Sequence, residues 1–384
     1  MDRIEKISDA ERLELFQQTS SKLGIPIAMI EKDFWVCWVL WKLFGDAEIK
    51  EALRFKGGTS LSKSYNLIER FSEDLDIVLA KELVLGDEAL FKSSNTKQRK
   101  FSDELSLRSA QYIGTTLKDK ISKILGYSVE VHTDEEYTKI NPQHKQEKID
   151  NNNLHIVYPK AVNSEYLRPD ILLEIGIISA WTPNEPKEIL PYIAKAYPNI
   201  KIAPAIVPTI KAKRTFWDKA TILHREYYRS KVTHTPARYS RHYYDLYCMG
   251  LSHIKGEALA DFELLAEVVE FKNRFYNCPW AKYKETLTGG LHLLPNDNNR
   301  NLLAQDYKAM QGMIFGNIPE WNEILDFLQG LEKEINRKKF YLSPKHQRSK
   351  FQIIPTNFER MPPCISRKEI LLNNWESSNI IVLP

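Results

Sequence analysis

The stretch Phe55-Lys56-Gly57-Gly58-Thr59-Ser60-Leu61, followed by Arg70-Phe71-Ser72-Glu73-Asp74-Leu75-Asp76-Ile77-Val78-Leu79, decides how the rest of the chain is read. Its first part reads as a short strand that breaks at a glycine pair and turns into a helix beginning near Thr59 or Ser60. The free N–H groups at such a helix start favour an anion, so a phosphate can rest there. Gly58 is expected at the closest approach, where a side chain would block the phosphates or demand a forbidden φ; Ser60 is expected to add a hydrogen bond. In the second part Asp74, Leu75, Asp76 and Ile77 alternate, so on a strand both carboxylates leave one face while Leu75 and Ile77 enter the core. Two acids on one face suit a divalent cation.

Phosphoryl transfer wants both parts together. The protein has little covalent chemistry to perform; it must hold a polyphosphate and position Mg²⁺, which takes oxygen from one or two carboxylates and from substrate phosphates. An NTP is the expected substrate and one or two Mg²⁺ ions the expected cofactor. Two rival readings of the same residues stand beside this one. Gly57 to Ser64 also spells a near P-loop, with Ser62 in place of the glycine that lets the backbone wrap phosphates. The plainer rival is a solvated Asp-x-Asp on an edge strand.

Gly57-Gly58-Thr59-Ser60 through Arg70-Phe71-Ser72-Glu73-Asp74-Leu75-Asp76 resembles the signature of the AbiEii/AbiGii toxin family, a branch of the polymerase-β-like nucleotidyltransferases. The resemblance implies an α/β fold: a nucleotidyltransferase core with a mixed sheet flanked by helices, plus a helical C-terminal domain. It implies that Asp74 and Asp76 hold metal and that a third acid on a neighbouring strand completes the site. In the strand expected over 170–178, Asp170, Leu172 and Glu174 share one face; Glu174 is the choice for that acid and Asp170 the second. Arg214-Thr215-Phe216-Trp217-Asp218-Lys219-Ala220 resembles the family's helix that presents a lysine to the nucleotide phosphates, which makes Lys219 a catalytic and nucleotide-binding candidate. Arg241-His242-Tyr243-Tyr244-Asp245-Leu246-Tyr247 resembles the later Asp motif, and Asp245 is expected to orient Lys219 or to take a proton from the attacking hydroxyl. The bland alternative for these two residues is a structural salt bridge. Gly57, Gly58, Thr59, Ser60 and Arg225 complete the expected nucleotide site, Arg225 lying six positions past Lys219; Lys32 is a lesser candidate.

Composition bounds the rest. The chain has 384 residues, 43% of them hydrophobic, enough for a sizeable core and two or three domains. Its 54 basic and 50 acidic residues give a formal charge of +4, so a nucleic-acid surface must be a local patch. The four cysteines, at 37, 248, 278 and 364, show no paired spacing, against a zinc site or disulfide framework and for a reducing compartment. No apolar run approaches a membrane span and the N-terminus lacks a signal-peptide core, so a cytoplasmic protein is expected.

In chain order, residues 1–50 read as a helical brace, opened by the capping box of Ser8 and Glu11 and continued by an aromatic-rich helix from Ile27 to Phe44. Residues 51–182 read as the nucleotidyltransferase core, 183–208 as a Pro-rich linker or hinge with short strands, 209–336 as a helical domain, and 337–384 as a basic, Pro-containing extension. The polar run Ser93 to Lys100 reads as leading into a helix from about Asp103. The segment after 209 is the densest basic region, interleaved with Tyr227, Tyr228, Tyr239, Tyr243 and Tyr244, which suits a nucleotide and a single-stranded RNA end. The resemblance implies a toxin of a toxin–antitoxin or phage-defence system that moves a nucleotide from an NTP to an RNA end, with a tRNA acceptor the foremost target, restrained by a cognate antitoxin. A small-molecule nucleotidyltransferase and a metal-free nucleic-acid-binding protein are the alternatives.

Overall fold

The helix Ile27–Gly45 runs through the middle of the main core, with Phe34, Trp35, Trp38 and Leu40 buried. An apolar surface around most of its girth is what a helix needs when it is covered on several sides. The helix Asp9–Leu23 precedes it, started by the expected Ser8–Glu11 capping box and closed by Gly24 at φ 67°. The computed structural model describes residues 1–142, 149–162, 167–230, 235–276 and 278–338; the 337–384 extension falls almost wholly outside them.

Seven strands form one mixed sheet in the order β3-β4-β5-β2-β1-β7-β6. They are β1 Leu53–Lys56, β2 Leu75–Leu79, β3 Glu130–Thr133, β4 Asn153–Val157, β5 Asp170–Gly176, β6 Asn184–Ile189 and β7 Ala205–Ile210. β2 pairs antiparallel with β1 and parallel with β5, and β1 pairs parallel with β7. The alternation in β2 acts as read: Leu75 and Ile77 are fully buried while Asp76 keeps access to solvent. Register then fixes the neighbours of Asp76, which are Lys56 on β1 and Glu174 on β5.

The Pro-rich segment 183–208 is no free linker: it supplies β6 and β7, which pair along their length. Pro186 sits on the edge strand opposite Pro208, where a missing N–H costs the sheet little. The polar run before residue 103 is helical too, because Ser94 caps the helix Asn95–Tyr112 by accepting from the Lys97 N–H.

Beyond β7 the chain is helical, with Ala212–Tyr227, Ser240–Leu251, Phe262–Phe275, Asp297–Met310 and Trp321–Arg337 as its long elements. Phe216, Trp217, Tyr243, Tyr244 and Leu328 form a second apolar core, which Leu61 and Ile68 join from the connection between β1 and β2. The motif therefore lies where the two cores meet, within one compact unit spanning Met1–Phe340. A mixed sheet flanked by helices and followed by a helical region is the fold class the sequence implied.

Candidate active site

Four carboxylates line one cavity of about 330 Å³: Asp74, Asp76 and Glu174 from the sheet side, and Asp218 from the helix Ala212–Tyr227. Asp76 and Glu174 are neighbours across the β2–β5 ladder, and Asp74 lies just before β2 on the same face. Protein walls around Glu174 push its carboxyl up to about 7, with Asp76 and then Asp74 adding repulsion, although the side chain is open to the cavity. Burial raises Asp74 as well, partly offset by Lys32.

The glycine turn borders these acids. The helix starts at Gly57, two residues earlier than expected, and runs to Lys63. Gly57, not Gly58, has the positive φ, 76°, and a Cβ there would land on the Asp76 carboxylate. At Gly58 the obstruction is side chains: an added Cβ would stand 2.7 Å from Arg70 Nη2 and 2.9 Å from Ser72 Oγ. Both glycines line the cavity. The early helix start turns the two hydroxyls inward. Ser60 Oγ donates to the Gly57 carbonyl at 2.8 Å and Thr59 Oγ1 donates to the Asp74 carbonyl at 2.5 Å, both side chains being buried. The expected phosphate contact by the Ser60 hydroxyl is thus replaced by a bond that fastens the turn, and the Thr59 hydroxyl ties the turn to the acid loop.

Cations line the same cavity: Arg214, Lys219 and Arg225 from the helix Ala212–Tyr227, joined by Arg241 and His242 from the next long helix. Lys219 Nζ reaches Asp245 Oδ2 at 2.6 Å. Arg70, from the motif itself, grips the same carboxylate with two bonds, Nε to Oδ1 at 2.6 Å and Nη2 to Oδ2 at 2.8 Å. Burial would raise the Asp245 carboxyl, but Arg70 and Lys219 outweigh it and hold it well below the carboxylate range. Burial lowers Lys219, against the pull of Asp245. Burial, with Lys219 and Arg241 nearby, pushes His242 well below its ordinary value, so its neutral Nδ1 can accept from Lys219 Nζ at 3.5 Å. Asp245 is fully buried and outside the cavity lining, and its carboxylate meets Lys219 and Arg70. Arg225 does reach the cavity, its Nη2 donating to the Tyr239 hydroxyl at 2.6 Å.

Two further candidates belong to the scaffold. Lys32 is buried, pairs with Glu73 at 3.0 Å and donates to the Arg168 carbonyl at 3.1 Å. Asp170, the second choice for the third acid, is buried against His155 Nδ1 at 2.8 Å and the Tyr137 hydroxyl at 2.9 Å, outside the cavity. Arg70 lies inside the motif but its partner Asp245 lies 175 residues on, a separation no local pattern encodes. Asp74, Asp76 and Glu174 fit Mg²⁺ by donor type, as hard carboxylate oxygens on one cavity. Among the described residues no group of three or more His, Cys, Asp or Glu side chains is arranged to hold a metal ion. Mg²⁺ is usually held by one or two carboxylates, water and substrate phosphates.

A family model described as nucleotidyl transferase AbiEii toxin, type IV toxin–antitoxin system, matches residues 38–329. Among solved structures, MenT4, a nucleotidyltransferase toxin of Mycobacterium tuberculosis H37Rv, is similar at 16% identity and TM-score 0.39, over 85% of this chain and 99% of its own. No curated protein sequence matches the chain.

Proposed function

This chain belongs to the AbiEii family of nucleotidyl transferase toxins of type IV toxin–antitoxin systems, and from that premise we propose that it transfers a nucleotide from an NTP to an RNA end, the tRNA acceptor foremost, with Mg²⁺. The observation that carries the reading is the cavity itself, lined by Asp74, Asp76 and Glu174 together with Lys219, Arg225, Arg214 and Arg241. A polyphosphate in such a cavity meets cations along its length while its reacting phosphorus lies near the acids.

Mg²⁺ held by Asp74, Asp76 and Glu174 would neutralise phosphate charge and polarise the group under attack. The protein's own groups perform the rest. Gly57 and Gly58 let the backbone come close to the phosphates without a side chain between them. Lys219 and Arg225 take the charge of the departing pyrophosphate as the bond between the α- and β-phosphates breaks. The RNA hydroxyl oxygen forms the new bond to the α-phosphorus, and its proton passes to a carboxylate of the cavity.

The same reading places the protein in the cytoplasm as the toxin of a phage-defence pair, restrained by a cognate antitoxin. No described helix is long and apolar enough to cross a membrane. Incubation with each labelled NTP, Mg²⁺ and total RNA is the test. Label in tRNA-sized RNA is the expected result; label on small molecules alone, or none, overturns the reading.

A further inference from the structure

The tyrosines that interleave with the basic segment are mostly occupied. Tyr243 and Tyr244 are core residues. Tyr227 stacks on His292 with ring centroids 3.9 Å apart, and the Tyr228 hydroxyl donates to Glu285 at 2.6 Å. Tyr239 lines the cavity but spends its hydroxyl on Arg225. An unclaimed aromatic face comes from elsewhere, the end of the helix Phe262–Phe275.

Phe271 and Tyr276 both line the cavity that holds the three acids and the cations. Tyr276 is 51% exposed, although it stands within a concave wall. Its position is fixed from three directions: its N–H donates to the Lys272 carbonyl at 2.9 Å, its hydroxyl points to the Ile178 carbonyl at 3.4 Å, and its ring leans on Phe271 with centroids 6.2 Å apart. Phe271 is in turn packed on Phe275 at 4.8 Å. Between the two rings in sequence, buried Lys272 donates to Thr221 Oγ1 at 2.6 Å and to the Asp218 carbonyl at 2.9 Å. That clamp joins the aromatic pair to the helix that carries Lys219, so the rings and the phosphate-facing cations keep a set spacing.

A large aromatic face left open inside a polar, charged cavity contributes nothing to the core, and water is a poor partner for it. A flat π-system is the ligand it suits. We propose that Tyr276 and Phe271 form a stacking platform for a nucleobase, either that of the incoming NTP or that of the acceptor RNA end. The inference rests on the nucleotidyl-transfer reading and adds the place where a base is held. Every base has a π-face, so the platform supplies affinity with little choice among the four bases.

The test compares wild type, Tyr276→Ala and Tyr276→Phe in Mg²⁺ by titration with ATP, with CTP and with inorganic tripolyphosphate, alongside the KM for total tRNA in label transfer. Removing a stacked ring weakens binding by roughly 5- to 150-fold. If the platform holds the NTP base, Tyr276→Ala loses affinity for ATP and CTP by that factor and leaves tripolyphosphate unchanged. If it holds the acceptor base, the KM for tRNA rises instead and NTP affinity stays. Either result supports the platform and identifies its source, provided Tyr276→Phe behaves as wild type and the melting temperature of Tyr276→Ala is unchanged. Wild-type affinities and KM in Tyr276→Ala overturn the platform, as does an equal loss for tripolyphosphate. A wild-type protein that binds neither NTP and labels no RNA removes the transfer reading itself, and the platform with it.

Discussion

Replacing Asp245 with alanine should cost stability first and nucleotide affinity second. The carboxylate is fully buried and holds both Arg70, through two bonds, and Lys219 at 2.6 Å. Its removal leaves two enclosed cations facing one another without a counter-charge. Breaking a buried ion pair from one side typically costs about 3–5 kcal/mol. At about 2.1 cal/mol/K per residue, a unit the size of Met1–Phe340 unfolds with an entropy of roughly 0.7 kcal/mol/K, so the melting temperature should fall by about 4–7 °C. Nucleotide binding should weaken with it, because Lys219 and Arg70 lose the group that aims them. A double-mutant cycle separates the two effects. If Asp245 acts through Lys219, adding Asp245→Ala to Lys219→Ala should cost less NTP affinity than it does alone, a coupling of about 0.5–3 kcal/mol. Calorimetry, NTP titration and single-turnover transfer supply the three readouts. An Asp245→Ala protein that melts and binds NTP as wild type, yet transfers nothing, would refute this reasoning and make Asp245 a group in the reaction.

Asp74→Ala and Asp76→Ala should each lower transfer on the order of 10³-fold or more with little change in melting temperature, since a metal ligand is lost from an open wall; a near wild-type transfer rate in either would dismiss the metal site. Gly57→Ala should abolish transfer while Ser60→Ala leaves NTP affinity near wild type and lowers stability by about 1 kcal/mol, because the Ser60 hydroxyl bonds the Gly57 carbonyl; a selective loss of NTP affinity in Ser60→Ala would return that hydroxyl to the phosphates. Asp170 provides the pH test. Burial would raise its carboxyl, but His155 and Arg168 outweigh that and hold it at about 2, below the ordinary 3.8. The folded value is the lower one, so this stabilisation of about 2 kcal/mol is present above pH 4 and disappears as the pH falls toward 2. Asp170→Asn should therefore flatten the acid limb of a melting-temperature profile between pH 4 and 2, and an unchanged limb would count against the His155–Arg168 account.

Much of this architecture is written in short-range pattern. The period of two in Asp74-Leu75-Asp76-Ile77 states which side chains leave the core, and the glycine pair marks the turn beside them. Parity alone could not choose between Asp170 and Glu174, because both lie on the same face of β5. The choice comes from register, which sets Glu174 beside Asp76 and carries Asp170 to His155. The inward turn of the Thr59 and Ser60 hydroxyls has no sequence signal, because it follows from a helix that starts at Gly57. Arg70 on Asp245 and the open face of Tyr276 depend on helices packed far along the chain, so no local window shows them. The prolines of 183–208 read as a break because propensity does not reveal that β6 is an edge strand.

The parallel pairing of β2 with β5 also sets a timetable. Asp76 leaves the ribosome long before its ladder partner Glu174, and Asp245, which aims Lys219, follows later still. At about 5–20 residues per second, the roughly 170 residues from Asp76 to Asp245 take on the order of 10–30 s to synthesise. For more than half of that interval Asp74 and Asp76 exist without Glu174, and for most of it without Lys219. A chain terminated before Asp245 lacks the carboxylate that pairs with Lys219 and Arg70, and it should transfer no nucleotide.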